Sequence, residues 1–171
     1  MKDLINNTDL IIRNAETRDA EGIIQLVKQV MKESPFFPRT SDEFNFTIEQ
    51  EEKYIKNAAL FLVAEVNGNI IGSATLDRSE LVRLNHAALF GITILKAFSH
   101  QGVGSALMKK VIEWAELNRI EKIDLEVFEN NTQAISLYKK FAFIEEGRKI
   151  KAIKTNKGYE GIILMCKFLN N

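Results

Sequence analysis

Ile94-Leu-Lys-Ala-Phe-Ser-His-Gln-Gly-Val-Gly-Ser-Ala-Leu107 is the stretch on which the reading of this chain turns. An apolar run enters it, a short polar loop follows, and Gly102 and Gly104 open a helix that reaches to about Asn118. Val103, Leu107, Val111 and Trp114 share one stripe of that helix, with Ser105, Lys109, Glu113 and Glu116 opposite. A helix N-terminus carries unpaired N–H groups and a partial positive charge, so it attracts anions. Glycine lets backbone approach a phosphate where a β-carbon would collide. The two glycines would equally serve close packing of helix on strand. No Gly-Lys-Ser/Thr follows, which excludes a Walker loop. The third glycine of a dinucleotide fingerprint is missing too, and a hairpin rather than a βαβ unit lies upstream.

Outward from this turn the chain reads as alternating elements. Leu10 to Arg13 is a first strand, and Thr17 is placed to cap a helix with Ile23, Leu26, Val27, Val30 and Met31 on its apolar side. Ser34 to Phe46 holds both prolines together with Phe36, Phe37, Phe44 and Phe46, and reads as an aromatic loop. A polar helix follows over Ile48 to Lys56. Leu60–Val66 and Asn69–Leu76 flank Asn67-Gly68, whose two positions suit a hairpin turn that needs positive φ. Ala87–Leu95 is a nearly continuous apolar strand, hence central. Ile123–Val127 alternates as a strand. A helix bearing Ala134, Leu137, Tyr138 and Phe141 comes next, with Asn130, Asn131 or Thr132 as its cap. Phe143–Ile150 and Glu160–Phe168 complete the order β α α β β β α β α β β, a mixed α/β fold.

The 171 residues suit one domain, read here as spanning 1–171. Twenty-three basic side chains balance twenty-three acidic ones, which argues against nucleic acid or an anionic membrane as partner. No apolar run approaches the roughly 20 residues that span a bilayer, and the N-terminus lacks a signal-peptide core. Cys166 is the single cysteine, so neither an internal disulfide nor a cysteine-rich metal site is expected. These features point to a cytoplasmic protein.

A second block is Val127-Phe-Glu-Asn-Asn131-Thr-Gln-Ala134-Ile-Ser-Leu137-Tyr138-Lys-Lys-Phe-Ala-Phe143. It is similar to the Asn-x-x-Ala-x-x-Leu-Tyr-x-Lys-x-Gly-Phe pattern of the GCN5-related N-acetyltransferases (GNAT family). Ser99-His-Gln-Gly102-Val-Gly104 fills the place of that family's Arg/Gln-x-x-Gly-x-Gly/Ala loop. Order and spacing of both blocks agree, and the resemblance runs from Leu10 to Phe168. It implies a single-domain GNAT-like mixed sheet flanked by helices on both faces. Departures are Ser99 for the usual arginine or glutamine, His100 for a common glycine, and Ala142 for the glycine before Phe143, read as a packing detail. Leu89 stands near a position where some relatives carry an acid on the central strand.

The resemblance implies acetyl-CoA as cosubstrate, no metal, and transfer of the acetyl group to a primary amine of a small molecule or a peptide. The pyrophosphate would lie over the amides of Gln101, Gly102, Val103, Gly104 and Ser105, with Asn131 as a further cofactor contact. The pantetheine arm would pair with the main chain of Ile92 and Ile94. Tyr138 corresponds to the tyrosine that protonates the departing thiolate. A lysine-like amine has a pKa of about 10.4, so a base is expected, and Glu126 and His86 are the candidates. The basic stretch Gly147–Lys154 would disfavour polyamines. Ser99 and Leu89 keep open an alternative, a catalytically weak or regulatory module that binds CoA without turnover. A homodimer is compatible with all of this.

Overall fold

A computed structural model describes residues 10–169. Its strands are β1 (Leu10–Asn14), β2 (Leu60–Val66), β3 (Asn69–Arg78), β4 (Ala87–Ile94), β5 (Lys122–Phe128), β6 (Ile144–Thr155) and β7 (Gly158–Phe168). Its helices are α1 (Ala20–Glu33), α2 (Ile48–Asn57), α3 (Val103–Leu117) and α4 (Thr132–Lys140). The order of elements is the one read from the sequence. The strands form a mixed seven-stranded sheet in the order β1-β2-β3-β4-β5-β7-β6, with β4 central. The pairs β1–β2, β2–β3, β5–β7 and β6–β7 are antiparallel, whereas β4 and β5 run parallel through Ala87–Leu89 opposite Lys122–Asp124.

Two compact units divide the chain. The first holds residues 10–77 and 91–114. Here β2 and β3 turn at Asn67 (φ 51°) and Gly68 (φ 78°), the left-handed pair that the Asn-Gly dipeptide announces. Phe61 and Val63 point to one face and meet Ile23 of α1, with Val27, Tyr54, Ile55, Ala58 and Ile70 packed around them. Leu60, Leu62 and Ala64 point the other way and are buried as well, so this part of the sheet is covered on both faces. The stripe Val103, Leu107 and Val111 of α3 is buried, as its helical spacing requires.

Thr17 does not cap α1. It opens a short 3₁₀ turn, Thr17–Asp19, that leads into the helix. The turn is closed by Asp19, whose carboxylate accepts from the Glu16 amide at 2.8 Å and from Arg13 at 2.7 and 2.9 Å. Arg13 in turn donates to Glu65 of β2. A carboxylate with a guanidinium partner holds the turn better than a lone hydroxyl, because charge-assisted hydrogen bonds are the stronger ones.

The second unit holds residues 78–90 and 115–169. Ile123, Leu125 and Val127 of β5 are buried together with Ile163 and Met165 of β7. Asn131 is the cap of α4: its side-chain oxygen accepts from the Ala134 amide at 3.2 Å. Ala142, just past α4, sits at φ 62°. Its departure from glycine is therefore a backbone matter rather than a packing detail, since a left-handed residue after a helix is the position glycine fills without strain. The final hairpin is longer than its sequence pattern suggests, reaching Thr155 and Gly158 at its turn.

Candidate active site

The glycine-rich turn begins where β4 ends. Leu95 donates its amide to Ile71 of β3, and the backbone then makes a 3₁₀ turn at Lys96–Phe98. His100 (φ 61°) and Gly102 (φ 86°) are both left-handed, on either side of Gln101. Alternation of hand along a chain turns successive amides to one side, the arrangement that forms an anion-binding concavity. The geometry accounts for the glycine expected in place of His100, since histidine is among the few residues that enter this region readily. Gln101 donates to the Ala97 carbonyl at 2.7 Å, while its Oε1 is enclosed without a partner.

Nothing lies within 4 Å of a β-carbon built on Gly102, so the space beside it is open. Val103, Gly104 and Ser105 form the first turn of α3, and the first helical hydrogen bond runs from Ala106 N to Gly102 O at 2.9 Å. A helix leaves its first amides without an internal acceptor, and Val103 and Gly104 hold that place in α3. Upstream, Gly72 of β3 packs so tightly on β4 that an added β-carbon would come 3.2 Å from the Thr93 carbonyl oxygen. Ile92 and Ile94 alternate with Gly91 and Thr93 along this stretch and are half-buried.

In the second unit Tyr138 is 6% exposed, with its ring edge-on to Phe90 (centroids 6.1 Å apart) and tilted against Phe143 at 5.9 Å. Burial pushes its hydroxyl well above the ordinary tyrosine range, so it stays protonated. Glu126 faces solvent on β5 and is ion-paired with Lys149 of β6. His86 is exposed ahead of β4, and its carbonyl accepts from the amides of Glu121 and Lys122. Leu89 is half exposed. Of the aromatic loop, Phe44 is buried and stacks on Phe46 at 5.0 Å, with Arg39 over the Phe46 ring.

One cluster escapes the sequence reading. Tyr54 of α2 donates to Asp77 of β3 at 2.8 Å and lies 3.4 Å from the Thr75 hydroxyl. Glu51, one turn before it, is only 3% exposed. The spacing of Glu51, Tyr54, Ile55 and Ala58 is the signal that would have found it, because i, i+3, i+4 and i+7 share a helix face.

The architecture thus combines a parallel β4–β5 pair within a mixed sheet and a left-handed turn that feeds α3. A sequence model of the Acetyltransferase (GNAT) family matches residues 25–143, and the chain belongs to that family. It is 34% identical to the L-amino acid N-acetyltransferase AaaT of Escherichia coli (strain K12) over 163 residues, 94% of this chain and 98% of that one. Among solved structures, an acetyltransferase of the GNAT family from Streptococcus pneumoniae superposes with a TM-score of 0.89 at 28% identity, covering 95% of this chain and all of that one. The fold is shared as well by yncA of Salmonella typhimurium, solved with its cofactor acetyl-CoA (TM-score 0.85, 15% identity, 95% of each chain). The protein is thus an acyltransferase of the acetyl-CoA-dependent N-acetyltransferase class.

Proposed function

We propose that the protein moves the acetyl group of acetyl-CoA to the free amino group of a small, amino-acid-like acceptor, and that residues 1–171 act as one catalytic domain. The observation that carries the reading is the open, left-handed turn at His100–Gly102 ahead of α3. The match of AaaT over nearly the whole of both chains supports an amino acid as acceptor. A peptide amino terminus is the alternative within the same chemistry. The family match includes residues of both compact units, which supports the single-domain reading. No helix among the described residues is long and apolar enough to cross a membrane, and we place the reaction in the cytoplasm.

The residues present fit the cosubstrate. The amides from Gln101 to Ser105, with the open side of Gly102, would receive the pyrophosphate. The main chain of Ile92 and Ile94 would pair with the pantetheine arm as an added strand does. Bound acetyl-CoA supplies an activated acyl carbon. A backbone amide near Ile94 would stabilise charge developing on the thioester oxygen. Tyr138, kept protonated by burial, would give its proton to the departing sulfur. Asn131, which caps α4 in any case, would contact the cofactor. Glu126 is one assignment for the base, and it requires the Lys149 pair to open.

The test is an amine screen. Free thiol released from acetyl-CoA is followed with the L-amino acids, short peptides and polyamines as acceptors. Release with amino acids, abolished by Tyr138→Phe while acetyl-CoA still binds, is the expected result. Binding without release for any acceptor would favour a regulatory CoA-binding module.

A further inference from the structure

Glu51 is the one carboxylate that α2 turns inward. Tyr54 and Ile55 of this helix, with Ala58 just after it, pack against Ile23, Phe61 and Val63. An acid at such a position is rare unless paired. Among the described residues no side chain or amide hydrogen-bonds its carboxylate, and neither oxygen is sealed from solvent. What little of Glu51 is exposed includes its carboxylate oxygens. Beside it the Tyr54 hydroxyl donates to Asp77 and approaches Thr75. Thr75 Oγ1 lies 3.0 Å from where a Gly91 β-carbon would stand on the central strand. A single strand position thus joins this polar group to the segment of β4 assigned to the cosubstrate.

From this placement we propose that Glu51, with Tyr54, Thr75 and Asp77, forms the acceptor-amine subsite, and that Glu51 is the base that takes the ammonium proton. The proposal rests on the acetyltransferase reading and deepens it. The Glu51 carboxylate accepts one proton from R–NH₃⁺ and leaves R–NH₂. That nitrogen forms a bond to the acyl carbon, the carbon–sulfur bond breaks, and the sulfur leaves as thiolate. The nitrogen loses a second proton as the amide forms, and the thiolate gains one, so each turnover releases one proton to solvent. Asp77, the negative end of the Tyr54 hydrogen bond, attracts the cationic acceptor.

The surroundings suit the role. Burial raises the affinity of Glu51 for a proton, and no other group contributes to that rise. Tyr54 is pushed up to about 12, chiefly by burial, and stays neutral across the working range. Against α2 pack α1 and the 3₁₀ turn. Asp19 of the turn is held by Arg13, while Arg18, Lys28 and Lys32 point to solvent. The titratable group beside Glu51 on its own helix is Tyr54, whose hydroxyl donates to Asp77 of β3.

The test compares wild type, Glu51→Gln, Glu51→Asp and Glu126→Gln. Acetyl-CoA affinity is measured by calorimetry. Then kcat/KM is measured from pH 6 to 10 with the best acceptor of a panel of L-amino acids, alanine-leading peptides and spermidine. Wild type, with a base to take the ammonium proton, should depend on pH less steeply than a variant without one. Glu51→Gln should bind acetyl-CoA within twofold of wild type and lose about 100-fold or more in kcat/KM at pH 7. That loss should shrink tenfold per pH unit toward the amine pKa, because the variant uses only free amine. Glu51→Asp should keep the wild-type profile at lower rate. A Glu51→Gln profile of wild-type shape, or that signature appearing in Glu126→Gln instead, would overturn the role of Glu51 alone. Wild type that takes up no acetyl-CoA, or acetylates nothing in the panel, would remove the parent reading and this subsite with it.

Discussion

Gly68 and Gly102 form a matched pair that separates folding from binding. Both are left-handed, at φ 78° and 86°, and a β-carbon on either would meet nothing within 4 Å. Alanine at either site therefore creates no clash, and only the backbone term remains. A left-handed alanine costs about 1–2 kcal/mol. The lower entropy of the unfolded alanine chain returns about 0.4–1 kcal/mol. The net loss is about 0.5–1 kcal/mol for each variant, or a fall of about 1–4 °C in Tm for a chain of this size. Thermal melts of Gly68→Ala and Gly102→Ala should then coincide. Their binding should not. Gly68 lies in the β2–β3 turn, whereas the Gly102 β-carbon would enter the space assigned to the pyrophosphate. We expect Gly102→Ala to lose at least tenfold in acetyl-CoA affinity by calorimetry, about 1.4 kcal/mol, with Gly68→Ala unchanged. Equal, wild-type affinity in both variants would refute the placement of the cosubstrate on this turn.

Further outcomes follow from individual residues. Ala142→Gly should raise stability by about 0.5–1 kcal/mol in denaturant unfolding, since it relieves the φ of 62° past α4. Tyr138→Phe should lower kcat by about 100-fold with the acetyl-CoA dissociation constant unchanged, because the ring packing on Phe90 and Phe143 survives. Asp19 is held below the ordinary carboxylate range by Arg13, so its contribution is complete above about pH 4 and lost as pH falls through its folded pKa. Melts of Asp19→Asn should accordingly be less stable than wild type at pH 7, and the difference should shrink on acidification.

The order of elements was legible because each segment carries its own period. The α3 stripe, the Asn67-Gly68 turn and the alternation of Ile123–Val127 need no tertiary information. The glycine-rich turn was legible for the same reason, its strand, loop and helix being contiguous. What escaped depends on partners distant in sequence. Asp19 holds the start of α1 only because β1 places Arg13 and β2 places Glu65 beside it. In Ile48–Asn57 the run Glu-Gln-Glu-Glu-Lys looks like a solvated face. Its inward side is decided by Phe61 on β2, against whose ring Tyr54 packs edge-on at 5.5 Å, and this turns Glu51 inward. Ala142 shows the opposite case, in which the motif flagged the position and only the backbone angle explained it.

Acetyl-CoA binding to a helix start shaped by His100 and Gly102 is the claim on which the rest depends. A calorimetric titration of the purified protein with acetyl-CoA, with ATP and NAD as controls, tests it most directly. Saturable one-to-one binding of acetyl-CoA, with neither nucleotide competing at the same concentration, is the predicted result. No heat with acetyl-CoA, or equal binding of ATP or NAD, would contradict it.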